Sequence, residues 1–84
     1  MNQDEKKKLQ VKYDSAIEAG VFSNAVSVSS NRNEMIIDFG YILPNVKPST
    51  IKVVSRVNLT QQTAESFLKV LSNAVLDMKN KQKE

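Results

Sequence analysis

Apolar residues alternate with polar ones through the middle of the chain and then recur at helical spacing towards its end. From Glu34 to Leu43 the odd positions Met35, Ile37, Phe39, Tyr41 and Leu43 are all apolar. Strict alternation is the mark of a strand with one buried face. Val21–Ser29 alternates in the same way, with Phe22, Asn24, Val26 and Val28 on one face and Ser23, Ala25, Ser27 and Ser29 on the other. Thr50–Leu59 is a third strand, with Ile51, Val53, Val57 and Leu59 on its odd face. A shorter alternation, Leu9, Val11 and Tyr13, makes Leu9–Tyr13 a candidate fourth strand, and Asp14–Gly20 reads as a turn or a single helical turn closed by glycine. Thr60 is a good N-cap. After it, Ala64, Phe67, Leu68, Leu71, Val75 and Met78 fall on one helical stripe, broadened by Val70 and Ala74, and predict a helix over about 61–79.

Turn chemistry joins these pieces. Ser30-Asn31-Arg32-Asn33 is rich in residues that tolerate turns, and Pro44-Asn45-Val46-Lys47-Pro48 cannot continue a ladder. A two-residue loop at Asn31-Arg32 places Val28 opposite Met35, Val26 opposite Ile37, Asn24 opposite Phe39 and Phe22 opposite Tyr41. In the second hairpin the expected pairs are Met35 with Leu59, Ile37 with Val57, Asp38 with Arg56, Tyr41 with Val53 and Leu43 with Ile51. One face of the meander then becomes nearly all apolar, and the amphipathic helix is expected to lie across it. The expected fold class is α+β: an antiparallel β-meander of three to four strands followed by one long C-terminal helix packed on one sheet face.

The opposite face carries Ile36, Asp38, Gly40, Ile42, Lys52, Val54, Arg56 and Asn58, beside the small residues of the first strand. Asp38 and Arg56 are expected to form a structural ion pair across neighbouring strands. An arginine held in this way is less free to clamp an anion. Ile36, Ile42 and Val54 form an aliphatic patch that is costly to leave bare. With Lys52, Arg56 and Asn58 they make the candidate interaction surface. Asn24, the polar exception on the apolar face, is expected to bond backbone at a strand edge or near the helix rather than a ligand.

Composition narrows the chemistry. Eighty-four residues make one domain of marginal core, read as 9–79 between an N-terminal tail over 1–8 and a basic C-terminal tail over 80–84. The chain has no cysteine and no histidine, which removes disulfides, thiolate chemistry and the usual neutral-pH base. No Asp or Glu cluster has metal-ligand spacing, and no glycine-rich phosphate loop exists. The chain therefore reads as a non-enzyme with neither metal nor cofactor. With neither staple nor metal to support a small core, oligomerisation is the remaining common aid. The net charge of +3 sits at the ends: Lys6, Lys7 and Lys8 against Asp4 and Glu5 leave +1, while Lys79, Lys81 and Lys83 against Glu84 leave +2. The body between is neutral. No stretch has the length of a membrane span, and the first residues lack the apolar segment of a signal peptide, so a cytoplasmic location is expected.

Several of these residues carry a family resemblance. Gly20-Val21-Phe22-Ser23-Asn24, Glu34-Met35-Ile36-Ile37-Asp38-Phe39, Pro44 and Val54-Ser55-Arg56-Val57, followed by Leu59-Thr60 and a helix, resemble a family of small prokaryotic proteins catalogued only as a domain of unknown function. Its pattern is G-x-Y-x-N, then E-F-x-x-D-F, a proline, and S-R-V before the helix. Phe22 stands where tyrosine is usual, Met35 where phenylalanine is usual and Gln61 where proline is usual. The resemblance covers about residues 18–80 and implies a fold but no activity.

Two functions from different classes follow. The first is a non-enzymatic homodimeric module that binds another protein or serves in assembly. The alternative is single-stranded nucleic-acid binding, because the four-strand-plus-helix plan is similar to that of the PUR and Whirly-like groups. Against it, the aromatics Phe22, Phe39 and Tyr41 are expected on the helix-covered face, with Lys52 and Arg56 on the other.

Overall fold

Alternation and turn chemistry produce three consecutive hairpin-linked strands. In a computed structural model describing residues 9–83, the elements are a short helix α1 (Ser15–Glu18), strands β1 (Ala25–Ser30), β2 (Glu34–Ile42) and β3 (Ile51–Thr60), and a long helix α2 (Gln61–Gln82). The strands form one antiparallel sheet in the order β1-β2-β3. The fold is thus the expected α+β meander followed by a helix. The expected tail over 1–8 lies outside the described residues, as does position 84.

Among the described residues the sheet has three strands. Leu9–Tyr13 is exposed and outside the sheet, because an alternating face makes a strand only where an edge accepts its hydrogen bonds. Gly20 ends the α1 segment at φ 76°, a conformation glycine adopts without steric penalty.

The first hairpin is displaced by two residues from the expected pairing. Asn31 Oδ1 accepts hydrogen bonds from the backbone N–H of both Asn33 and Glu34, each at 2.9 Å, while Asn31 N–H donates to the Glu34 carbonyl at 3.0 Å. This use of the side chain puts Asn31 before the loop rather than in it, so Arg32 and Asn33 make the turn. Val28 therefore faces Ile37 and Val26 faces Phe39. A shift of two preserves the faces. β1 also starts later than expected. Ahead of it, side chains replace part of the ladder: Asn24 Oδ1 accepts from Ile42 N–H at 2.9 Å, and Ser23 Oγ donates to the Gly40 carbonyl at 2.8 Å.

The second hairpin follows the expected register from Glu34 opposite Thr60 to Phe39 opposite Ser55, then breaks at a β-bulge. Val54 is the extra residue. Beyond it Gly40 faces Val53, Tyr41 faces Lys52 and Ile42 faces Ile51. A one-residue slip exchanges the faces of a strand. Ile51 and Val53, expected beneath the helix, lie on the opposite face, and Lys52 moves to the helix face beside Tyr41. Gly40 permits this: a Cβ there would lie 2.5 Å from Ile51 Cγ2 and 3.2 Å from the Lys52 carbonyl oxygen.

Thr60 caps α2, its Oγ1 accepting from Thr63 N–H at 3.1 Å. The helix runs past Lys79 to Gln82, taking most of the expected 80–84 tail into its last turns. Lys79 and Lys81 favour the carbonyl end of a helix, and Lys81 pairs with Asp77 one turn back at 3.5 Å.

Packing is thin. Ile37, 5% exposed, is the one buried apolar side chain among the described residues, and α2 buries none of its own. The expectation that α2 covers the apolar sheet face holds only for its half-buried residues Ala64, Phe67 and Val75.

Candidate interaction surfaces

The helix face of the sheet is open on the β1 side. Met35, Ile37 and Val28 floor a groove of about 510 Å³, and Ala64, Leu68 and Leu71 of α2 form its wall. Alternation along β1 and β2 puts the floor residues on one face, and the helical repeat lines up the wall. Val28 is 57% exposed and Leu68 67% exposed. Glu65 and Gln61 supply the polar rim. Sequence reasoning assigned this face mainly to an internal core, with the broad flank of the helix stripe as a hint of contact with a second subunit. The stripe of apolar residues on α2 was legible, but how much of it the sheet reaches was not.

On the opposite face, Arg56 grips Asp38 with two parallel bonds, Nε to Oδ1 at 2.6 Å and Nη2 to Oδ2 at 3.0 Å. The hydrogen bond from Arg56 holds the Asp38 carboxyl below the usual carboxylate range, against a smaller opposing effect of desolvation. The same bond raises the Arg56 guanidinium above its ordinary value. The arginine side chain remains 62% exposed and the aspartate 20%. With its fork engaged, Arg56 holds strands together and offers little to an anion.

The remaining candidate residues divide. Asn58 pairs with half-buried Ile36 next to the ion pair, and Ile42 is exposed further along the same face. Lys52 does not belong to this surface, because the bulge carries it to the helix face. Val54 is the half-buried bulge residue rather than a member of an aliphatic patch. In their place Ile51 and Val53 join Ala25, Ser27 and Asp38 around a shallow hollow of about 270 Å³. Sequence reasoning missed these two; Gly40, the gap that admits Ile51, was the available signal.

At the far end of the helix face, Phe22 and Tyr41 meet edge to face, ring centres 5.8 Å apart at 70°. Phe22 is 70% exposed, and Lys52 stands opposite Tyr41. Three surfaces are thus separable: an apolar groove, an ion-paired face, and an aromatic end with one lysine.

Among the described residues, no group of three or more His, Cys, Asp or Glu side chains is placed to hold a metal ion, and no helix is long and apolar enough to cross a membrane. No curated protein and no solved structure matches the chain. A family model described as a protein of unknown function, DUF3467, matches residues 1–82, and the chain belongs to that family.

Proposed function

We propose that the protein is a non-enzymatic homodimeric module of the cytoplasm, which binds another protein or serves in assembly through the surface its dimer leaves free. The observation that carries this reading is the open apolar groove beside α2. Its exposed aliphatics are of the kind that a small core needs and that solvent penalises at about 25 cal/mol per Å². The thin core supports it further, since a chain without cysteine has no disulfide to stabilise it. The ion-paired face, with Ile42, Ile51 and Val53 exposed beside Asp38, is the surface left for a protein partner. Sedimentation equilibrium at micromolar concentration tests the reading. Twice the 9.4 kDa chain mass is expected. A well-folded species at the single-chain mass overturns it.

A second reading, single-stranded nucleic-acid binding, is favoured by one observation. The bulge removes the separation of aromatics from bases expected from the sequence, since Lys52 faces Tyr41 beside exposed Phe22. Binding of this kind stacks bases on aromatic rings next to cations. The three-stranded sheet weakens the likeness to the four-stranded binders. Titration with a labelled oligonucleotide at about 50 mM salt, where phosphate-driven affinity is strong, decides it. Binding that weakens in Phe22→Ala supports this reading, and no binding removes it.

A further inference from the structure

We infer that the groove beside α2 is filled by α2 of a second copy of the chain, the two helices running antiparallel about a two-fold axis at Ser72. This rests on the homodimeric reading and adds the place, the occupant and the register of the contact.

The helix has more apolar surface than its own sheet takes up. Ala64, Phe67 and Val75 are half-buried, whereas Leu68 and Leu76 on one flank remain exposed. At about 100° per residue, Glu65, Leu68, Ser72, Leu76 and Lys79 fall within about 80° of arc on that flank. Leu68 and Glu65 line the groove, and Ser72, Leu76 and Lys79 border a second crevice further along the helix.

The flank is complementary to itself. Helices that pack antiparallel about a two-fold axis bring the same flank of each together. With the axis at Ser72, Leu68 of one copy meets Leu76 of the other, and Glu65 meets Lys79. Each contact occurs twice. Ser72 has a small side chain, which lets the helix axes approach to the usual 8–10 Å or so at the crossing. Moving the axis by one residue either way breaks both matches, so the pattern selects one register.

The proposed contact has exposed apolar side chains at both of its matched positions, Leu68 at 67% and Leu76 at 60%. An inserted helix would cover Val28 and Leu68, two of the most exposed aliphatics at the groove. A second copy brings the helix, the matching leucines and the opposite charges together.

The experiment measures the dimer dissociation constant by sedimentation for the full chain and four variants. Leu68→Glu is expected to raise it by about a hundredfold or more, as loss of a central buried contact on both copies does. Glu65→Lys alone sets lysine against lysine and is expected to weaken the dimer by about five- to tenfold, and Glu65→Lys with Lys79→Glu to restore it. Val53→Glu, on the opposite face, is expected to leave it unchanged. If Leu68→Glu fails to fold, the charge exchange still decides. No weakening in Glu65→Lys, or no recovery in the exchanged pair, overturns the inference. A dimer lost in Val53→Glu but kept in Leu68→Glu also overturns it while leaving the homodimeric reading intact. A wild-type monomer overturns both.

Discussion

At the scale of single residues, the most defined interaction is the two-pronged bond between Arg56 and Asp38. It was legible because both residues lie on the side of the bulge away from the β2–β3 loop, where the two strands keep the register expected from the sequence. Its pH dependence has a definite sign. The folded-state value of Asp38 is lowered, so its contribution is fully present above the unfolded carboxylate value and is lost as pH falls through the folded one. Arg56 is raised from an already high value, so it stays charged across this range and the acid limb belongs to Asp38. Asp38→Asn is expected to lower the urea midpoint at neutral pH, with the difference from wild type shrinking as the solution is brought to about pH 3. An equal difference at both pH values would show that the pair is not responsible. Asn31 is the contrasting residue. Its side chain accepts two backbone N–H groups and so moves the loop by one position. Composition marked the turn, but an asparagine serves equally well inside a loop or just before it.

At the scale of elements, the bulge at Val54 decides which residues share a surface. β3 carries Ile51, Val53, Val54 and Val57, which suit either face, so alternation alone could not reveal a slip of one residue. Gly40 held the missing information, because its lack of a side chain lets Ile51 cross over it. Gly40→Ala is expected to destabilise the protein by about 1–3 kcal/mol, the usual range for overpacking a fitted site. Ile51→Ala should recover part of that loss, because it removes the atom the new methyl meets. Strictly additive effects of the two changes, measured by urea unfolding, would show that the close approach is not what requires glycine. The helix was more legible than the strands. Its cap at Thr60 and its apolar spacing are local properties, and its excess length beyond Lys79 follows from lysines suited to a C-terminal turn.

At the scale of the whole molecule, local order and global packing part company. Strands, turns and helix are well formed, yet the core holds one buried apolar side chain among the described residues. The sequence revealed which side of α2 is apolar, because that depends on spacing. It did not reveal how far the helix stands from the sheet, because that depends on what else fills the space. We propose that a second copy fills it, so that folding and association are one process. The most direct measurement is thermal unfolding over a hundredfold range of protein concentration. For a dimer of this size, about 0.7 kcal/mol of unfolding enthalpy per residue gives a midpoint that rises by about 4 °C for each tenfold increase in concentration. That rise is the expected result. A midpoint that stays constant across the range would contradict the claim, since it would mean that the single chain completes its own fold.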